Sequence, residues 1–356
     1  MVVAGGGTGG HLFPGLAVAE AVAGADPDRV LFVGSAYGIE ARVIPQTRFA
    51  FRPLAIHGLR GRGARGALQL AAQLPQAIVQ AWRILGRFGA DVVVGVGGYA
   101  SFPVVVAAWL RRVPTVLLEQ NAHPGLANRV LARLARRVCT TFAEAERYFP
   151  AGKVVLTGNP VRLFAAPVAA PRHGFTLLVF GGSQGAHRLN ETMADAAAAL
   201  RDALPGLRII HQTGAADCAA LRATYERLGV TAEVREFIDD MGAAYAAADV
   251  VVCRAGATTV AELTALGKPA ILVPYPFAAD DHQRANASVL EGHGAAMMIL
   301  DRALTGAALA QTVSELARDP GRLARMGDAA RRLARPDAAA RVAATCREVA
   351  GGGVVG

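Results

Sequence analysis

Short runs of β-branched and aliphatic residues alternate with alanine- and leucine-rich stretches along the whole chain. In the first half the runs are Val2–Gly5, Val30–Gly34, Asp91–Val96, Thr115–Glu119, Val138–Thr141 and Val154–Thr157. In the second half they are Thr176–Phe180, Arg208–Gln212, Glu233–Phe237, Val250–Cys253, Ala270–Val273 and Met297–Leu300. Short apolar runs separated by helical stretches are typical of buried parallel strands. The pattern therefore predicts an α/β protein with two Rossmann-like parallel-sheet domains, which we expect to face each other across a cleft.

The linker between the two domains is predicted from its prolines. Three of them, at positions 160, 167 and 171, lie close together in a stretch without helical periodicity. We therefore expect an N-terminal domain over residues 1–160, a linker over 161–173, a C-terminal domain over 174–335, and a last helix and tail over 336–356. Pro336 is expected to be the first residue of that helix, which we expect to pack back toward the N-terminal domain.

One uncharged stretch, Val92–Leu110, approaches the length of a membrane span. Three glycines, a serine and a proline lie in its middle. Because these residues are typical of turns, the stretch favours a buried strand, a glycine turn and a buried helix.

Composition and charge narrow the function classes. Of the 356 residues 53% are hydrophobic and 18% are charged, which excludes disorder, and the four cysteines are too far apart to suggest a zinc ribbon or a disulfide scaffold. The formal net charge is +9, and the excess of arginine lies in the first 160 residues. This excess indicates an anionic partner such as lipid headgroups or a pyrophosphate. Nucleic acid is disfavoured because no aromatic residues are interleaved with the arginines.

Three glycine-rich segments each follow a predicted strand: Gly5–Gly10, Gly95–Ser101 and Gly181–Ala186. Glycine lets backbone amides approach a phosphate closely, and a helix N-terminus adds partial positive charge. We expect the helix after the first segment to begin near Pro14. Three such loops at strand ends favour a site for a phosphorylated ligand.

The first loop also fits the dinucleotide fingerprint G-x-G-x-x-G, so a nicotinamide-dependent oxidoreductase is one alternative. That fingerprint expects a carboxylate at the end of the second strand, where it binds a ribose hydroxyl. The second strand here, Leu31–Ser35, contains none.

A strand, a glycine turn and a helix start are predicted over Val250–Glu262. Thr259 and Glu262 have the spacing of a capping box, which would satisfy the first backbone amides of that helix without any ligand. The alternative is that the helix start binds a diphosphate while Glu262 accepts hydrogen bonds from ribose hydroxyls. The polar loop Pro274–Asn286 suits sugar hydroxyls.

Taken in order, nine segments resemble the MurG family, the bacterial transferases that add N-acetylglucosamine (GlcNAc) to undecaprenyl-diphosphate-linked muramyl pentapeptide. These segments are Gly5–His11, Gly58–Gly61, Gly95–Ser101, Glu119–Asn121, Gly158–Arg162, Gly181–Ala186, Phe237–Met241, Arg254–Glu262 and Asp281–Ala287. The family commonly has histidine before the Glu-Gln-Asn triplet, whereas this chain has Leu118.

The resemblance implies a GT-B fold, with the acceptor bound by the N-terminal domain and UDP-GlcNAc bound mainly by the C-terminal domain. It implies donor contacts from Thr8, Gly9, Gly10, Asn121, Arg162, Ser183, Ile238, Ala257, Thr258, Thr259, Val260, Ala261, Glu262 and Gln283. It implies neither a bound metal nor another cofactor. A UDP-GlcNAc epimerase or another lipid glycosyltransferase of the same fold would be an alternative.

The implied reaction inverts the anomeric centre, as the 4-hydroxyl of N-acetylmuramic acid (MurNAc) displaces UDP. His11 is the first candidate for the base, because neutral imidazole accepts a proton near pH 7, and Glu119 is the second. The lipid-linked acceptor implies a peripheral protein at the cytoplasmic face of the membrane. There the basic domain would face anionic lipid, with an apolar patch formed by Leu68, Leu70, Leu74, Ile78, Trp82 and Leu85 beside Arg83 and Arg87.

Overall fold

Two units make up the chain in a computed structural model, which describes residues 1–57, 63–161, 174–182 and 185–351, without the side chains of residues 63–71. The first unit consists of Met1–Arg162 together with Arg335–Gly356, and the second of Leu163–Ala334. Each contains one parallel sheet with helices on its faces, so the predicted α/β class is confirmed.

Thirteen strands and thirteen α-helices are formed by the described residues. The strands are β1 (Val2–Gly5), β2 (Leu31–Ser35), β3 (Ala50–Leu54), β4 (Val93–Gly97), β5 (Thr115–Glu119), β6 (Arg137–Thr140), β7 (Val154–Leu156), β8 (Thr176–Phe180), β9 (Arg208–Gln212), β10 (Ala232–Arg235), β11 (Val250–Cys253), β12 (Ala270–Leu272) and β13 (Ala296–Met298). The helices are α1 (Gly9–Ala23), α2 (Glu40–Val43), α3 (Gly63–Phe88), α4 (Ser101–Leu110), α5 (Leu126–Leu131), α6 (His187–Ala203), α7 (Cys218–Arg227), α8 (Met241–Ala247), α9 (Ala257–Leu266), α10 (His282–Gly292), α11 (Gly306–Ala317), α12 (Pro320–Leu333) and α13 (Ala338–Gly351).

The sheet of the first unit has the order β3-β2-β1-β4-β5-β6-β7. Side chains alternate between its faces, as the period of a strand requires. Val2 packs toward α3 and α4, whereas Val3 packs in a cluster with α1 and α13. Leu118 is 2% exposed and belongs to that second cluster, which makes it a core residue.

The sheet of the second unit has the order β10-β9-β8-β11-β12-β13. Its core cluster includes fully buried residues such as Leu177 on β8, Val252 on β11 and Leu189 on α6. Near-continuous apolar strands are typical of parallel sheets that are covered on both faces, and β8 and β11 have this character.

In both sheets the strand order reverses next to the strand that comes first in the chain. The reversal lies between β1 and β4 in the first unit and between β8 and β11 in the second. The connections that follow the two strands run in opposite directions from such a point. The loops at the carboxyl ends of these strands therefore have a crevice between them. All the glycine-rich segments singled out above lie at these two reversal points.

Twelve of the strands were predicted to within a few residues, but β3 was missed. It is an edge strand with exposed residues and Pro53 in its sequence, so it lacks the apolar run of a buried strand.

Two helix starts were predicted wrongly. Helix α1 begins at Gly9, and Pro14 lies inside it, while α13 begins at Ala338 rather than at Pro336. In both cases the proline ring fixes φ without determining where the first helical hydrogen bond forms. Val342 and Cys346 of α13 are buried in the core of the first unit.

The stretch Val92–Leu110 forms β4 and α4, as predicted. Within the described parts of the chain, no helix combines the length and apolar character that a membrane crossing requires.

Candidate active site

The two glycine loops of the first unit interlock at the carboxyl ends of β1 and β4. A register shift after Ala4 brings Gly5 opposite Gly97. A Cβ atom on Gly5 would lie 2.4 Å from the carbonyl oxygen of Gly97, and one on Gly98 would lie 2.4 Å from that of Gly6. These glycines are therefore required by the close packing of the loops on each other.

His11 is held against this pair of loops. A Cβ atom on Gly97 would lie 2.7 Å from Cδ2 of the imidazole, so the ring packs directly on the backbone of the second loop. Its Nδ1 lies 3.0 Å from Oγ1 of Thr8, the residue before α1. If Nδ1 donates its proton to Thr8, Nε2 carries the lone pair that a general base needs. Gly9 and Gly10 are the first two residues of α1.

A buried carboxylate that the sequence analysis missed also contacts the first loop. Glu40 is 1% exposed, and its Oε2 accepts a hydrogen bond of 2.7 Å from the backbone N–H of Gly7. Its Oε1 accepts one of 2.8 Å from the N–H of Ser35, at the end of β2. The dinucleotide fingerprint places its carboxylate at the end of β2, whereas Glu40 lies five residues beyond that end.

Glu119 organises the loop that follows β5. It is 3% exposed, and its Oε1 accepts hydrogen bonds from the backbone N–H and from Nδ2 of Asn121, at 2.9 and 3.3 Å. Its Oε2 accepts one of 2.9 Å from Nδ2 of Asn128, which the sequence analysis did not single out. Burial raises the pKa of Glu119 to about 7 although these hydrogen bonds act in the opposite direction. These contacts favour a role in placing Asn121.

Gln212 ties together two loops of the second unit. At the end of β9, its Nε2 donates to the carbonyl oxygen of Gly182 at 2.9 Å, and its Oε1 accepts from the N–H of Ile238 at 3.0 Å. Because the N–H of Ile238 already donates to Gln212, a nucleobase bound at Ile238 would meet the carbonyl group of that residue. Ser183 and Arg162 lie outside the described residues.

Helix α9 presents its N-terminus at the end of β11. It begins at Ala257, with Gly256 in the N-cap position, so the predicted capping box starting at Thr259 is not formed. Among the described residues, no side chain caps the backbone amides of its first turn. Oγ1 of Thr258 is buried there without a hydrogen-bond partner in the described part of the chain. Uncapped amides and an unsatisfied hydroxyl at a helix N-terminus suit an anionic ligand.

The remaining residues of this segment have separate environments. Val260 is a core residue with 1% exposure, so its side chain is not available to a ligand. Glu262 lies one turn further along α9 than Thr258, and its Oε2 accepts a hydrogen bond of 2.9 Å from the hydroxyl of Tyr245. Burial raises the pKa of Glu262 to about 7, although the hydrogen bond from Tyr245 acts in the opposite direction.

Polar contacts hold the turn before α9 and the loop that follows β12. Arg254 Nη1 lies 2.6 Å from Oδ1 of Asp301 and also donates to the carbonyl oxygens at the end of β12. Asn286 on α10 donates to the carbonyl oxygen of Ala255 at 3.1 Å. Gln283 accepts a hydrogen bond of 2.9 Å from the N–H of Tyr275. Sequence analysis missed the roles of Asn286 and Asp301, since both partners lie more than 30 residues away in the chain.

Asp240 caps helix α8. Its Oδ1 accepts a hydrogen bond of 2.9 Å from the backbone N–H of Ala243. Among the described residues, no three His, Cys, Asp or Glu side chains form a group that could hold a metal ion.

Known proteins resemble this chain over nearly all of its length. The sequence profile of the glycosyltransferase family 28 N-terminal domain matches residues 1–140, and that of the C-terminal domain matches residues 176–342. The UDP-N-acetylglucosamine–N-acetylmuramyl-(pentapeptide) pyrophosphoryl-undecaprenol N-acetylglucosamine transferase of Anaeromyxobacter sp. (strain K) is 52% identical, over 98% of this chain and 92% of its own length. The protein of the same name from Geobacter sulfurreducens is 48% identical, over 95% of each chain. The crystal structure of Acinetobacter baumannii MurG matches with a TM-score of 0.81 at 34% identity, over 98% of each chain.

The raised pKa of Glu119 predicts how pH affects stability. The folded protein holds the proton up to about pH 7, whereas the unfolded chain releases it near 4.5, so this group favours the folded state at low pH and that contribution is lost as pH rises through 7. The loss is on the order of 3 kcal/mol between pH 5 and 8. Glu119→Gln removes the titration, so its melting temperature relative to wild type should rise over that interval. Parallel melting profiles would contradict the raised pKa.

Proposed function

The chain belongs to glycosyltransferase family 28, and we propose that it transfers GlcNAc from UDP-GlcNAc to the 4-hydroxyl of MurNAc in undecaprenyl-diphosphate-linked muramyl pentapeptide. It is a UDP-sugar glycosyltransferase of peptidoglycan synthesis, and its two parallel-sheet units are those of the GT-B architecture. The observation that carries this conclusion is the open N-terminus of α9 beside Glu262, in a chain 52% identical to a transferase of that activity.

The diphosphate of the donor is assigned to the first turn of α9. The backbone amides of Ala257, Thr258 and Thr259 and the hydroxyl of Thr258 are the hydrogen-bond donors, and the helix dipole favours negative charge at this end. Glu262 accepts hydrogen bonds from the ribose hydroxyls, and the nucleobase of UDP binds at the carbonyl group of Ile238.

Further donor contacts come from the residues that the family resemblance implies. Asn121 and Gln283 have amide groups that suit sugar hydroxyls, and both are held by defined hydrogen bonds. Thr8, Gly9 and Gly10 contribute from the start of α1, and Ala261 adds the backbone next to Glu262. Arg162 and Ser183 complete the proposed set by motif position.

The transfer is a single displacement. The acceptor 4-hydroxyl oxygen forms a bond to the anomeric carbon while the bond from that carbon to the UDP oxygen breaks, and UDP leaves with the electron pair. Attack from the face opposite UDP inverts the anomeric centre and produces a β-1,4 link. The negative charge that grows on the diphosphate meets amides that are already in place at α9. Loss of one such donor typically costs about 3 kcal/mol of transition-state stabilisation.

His11 is the proposed acceptor of the hydroxyl proton. Its ring is fixed on two sides, by Thr8 at Nδ1 and by the backbone of Gly97, so Nε2 has a defined direction. Glu119, the second candidate, is enclosed by amide donors from Asn121 and from Asn128 on α5, which favours His11 as the base.

The competing activities fit the chain less well. A nicotinamide-dependent oxidoreductase would bind a pyrophosphate on the first glycine loop, but the amide of Gly7 donates to Glu40 instead. For a UDP-GlcNAc epimerase or a different lipid glycosyltransferase, the relatives at about 50% identity provide no support, because they are named as transferases to lipid-linked muramyl pentapeptide.

Membrane association is the second part of the proposal. The exposed apolar residues in the structure differ from those of the predicted patch. Leu85 is 1% exposed in the core, Ile78 and Leu74 are partly buried against it, and the side chains of Leu68 and Leu70 lie outside the described residues. Exposed apolar side chains on α3 and the end of α4 form an aromatic–arginine patch with neighbouring arginines. This patch consists of Val79, Trp82, Trp109 and Leu110 with Arg83, Arg87, Arg111 and Arg112.

The aromatic–arginine patch combines the two properties that hold a peripheral protein on anionic lipid. Trp82 and Trp109 are about half exposed, at 47% and 51%, and the guanidinium of Arg111 lies 4.3 Å from the centre of a Trp82 ring. Each well-placed cation near an anionic surface contributes roughly 1 kcal/mol. We therefore assign the protein to the cytoplasmic face of the membrane, where its acceptor is embedded.

The activity is tested by incubating the protein with labelled UDP-GlcNAc and a lipid-linked muramyl pentapeptide analogue. The proposal expects one labelled GlcNAc in a β-1,4 link on the lipid product, with release of UDP. Formation of an epimer or of labelled free sugar, without lipid product, would contradict it.

UDP affinity should depend on pH through Glu262. Only the ionised carboxylate accepts both ribose hydrogen bonds, and with a pKa of about 7 the ionised fraction rises about tenfold between pH 6 and 8. The ratio of wild-type to Glu262→Gln affinity, measured by calorimetry, should therefore rise by up to about tenfold. Glu226→Gln, which changes an exposed carboxylate on α7, is the matched control. An affinity ratio that stays constant with pH would show that Glu262 does not bind the ribose.

Substitution of His11 should lower kcat and leave donor binding nearly unchanged. His11→Asn removes the proton acceptor, so kcat should fall by roughly 100-fold or more while the KM for UDP-GlcNAc stays within a small factor. The exposed His293→Asn serves as control. Retention of most of the wild-type kcat with an unchanged pH profile would show that another group is the base.

Vesicle binding should depend on the aromatic–arginine patch. Co-sedimentation with vesicles that contain anionic lipid should be strong at low salt, weaker at high salt, and reduced by Trp82→Ser and Trp109→Ser. Phe277→Ser, at an 82% exposed aromatic residue of the second unit, should bind like wild type. Equal binding by all variants, or indifference to anionic lipid, would count against the patch.

A further inference from the structure

Glu40 occupies the position in the first glycine loop where a phosphate would be expected. The loop follows the central strand β1, lies at the point where the strand order reverses, and precedes the 15-residue helix α1. In parallel-sheet proteins an external anion binds at such a loop, on its backbone amides. Here the amides of Gly7 and Ser35 donate to the two carboxylate oxygens of Glu40, at 2.7 and 2.8 Å.

The space around this carboxylate is shaped by glycine. A Cβ atom on Gly6, Gly34 or Gly38 would lie 2.3, 2.7 or 2.2 Å from an atom of the Glu40 side chain. Two loop glycines and one glycine of β2 therefore enclose one side chain that is 1% exposed. Any larger residue at these positions would displace the carboxylate, so the enclosure is built for this group.

The corresponding loop of the second unit is held in a different way. The neutral side chain of Gln212 donates to the carbonyl oxygen of Gly182, and the helix at the neighbouring strand end, α9, has no side-chain cap among the described residues. The first unit thus supplies its own anion, while the second unit leaves backbone amides to a ligand.

On the basis of the proposed transferase function, we propose that Glu40 is a positioning residue. Its carboxylate is a built-in anion that fixes the first glycine loop, so that His11 is correctly placed. The same carboxylate excludes phosphate groups from Gly7. Through Gly7 the carboxylate sets the backbone just before Thr8. Thr8 in turn contacts Nδ1 of His11, whose ring packs on Gly97. A displaced Gly7 would therefore move the base relative to the acceptor hydroxyl, and misplacement by about 1 Å can cost 100-fold in rate.

The test compares Glu40→Ala and Glu40→Gln with wild type, and uses Glu144→Gln, at an exposed glutamate of the same unit, as the control. In both variants kcat should fall by roughly 10- to 100-fold while the KM for UDP-GlcNAc changes less than about threefold, because the donor diphosphate binds at α9. Glu144→Gln should behave like wild type. If Glu40→Ala does not fold, the isosteric Glu40→Gln still provides the kcat comparison.

Rescue by a small anion separates positioning from packing. Acetate should restore a large part of the lost kcat in Glu40→Ala and should raise its melting temperature, because it can accept the same two N–H groups, whereas the neutral acetamide should do neither. Equal rescue by acetamide, no effect of acetate, or a wild-type kcat in both variants would overturn the proposal. A wild type without transferase activity would overturn the proposed function instead, and the acetate-dependent rise in melting temperature would still test the anion site.

Discussion

The organisation of both units depends on how the backbone N–H groups at the carboxyl ends of the central strands are satisfied. A parallel sheet places several such N–H groups at its reversal point, where two loops separate. Neither a neighbouring strand nor a packed helix provides a hydrogen-bond acceptor for them there. In the first unit the buried carboxylate of Glu40 accepts from one of them, the N–H of Gly7, and from the N–H of Ser35 at the end of the neighbouring strand β2. In the second unit the first turn of α9 is open among the described residues, and a buried hydroxyl beside it is unsatisfied. One type of site thus serves internal order in the first unit, and in our proposal it binds a ligand in the second.

This difference explains why two similar sheets perform different tasks in the proposed reaction. The loops of the first unit are packed on each other and on an imidazole, an arrangement that fixes a proton acceptor. The loops of the second unit are tied by neutral amides, Gln212 and Asn286, and by the buried guanidinium of Arg254. None of these contacts caps the first turn of α9, where the proposed reaction develops the charge of the leaving diphosphate.

Much of the fold could be predicted from the sequence, because buried parallel strands are short apolar runs and the glycine segments mark their carboxyl ends. The edge strand Ala50–Leu54 was missed because an edge strand does not need an apolar run. The starts of α1 and α13 were misjudged because Pro14 and Pro336 are local signals, while the actual first turns follow from tertiary packing. The partners of Glu119 and Glu262 were also out of reach: Asn128 and Tyr245 meet them only after folding. Glu40 had one signal: it is the first carboxylate after β2, and Gly34 and Gly38 precede it within six residues.

The central claim is that the donor diphosphate binds the first turn of α9 and not the first glycine loop. Hydrogen exchange of the backbone amides, read at single-residue resolution with and without UDP, tests it most directly. The account predicts that UDP slows exchange at Ala257, Thr258 and Thr259 and leaves Gly7 unchanged, because that amide already donates to Glu40. Slowed exchange at Gly7 with no change at the start of α9 would contradict it.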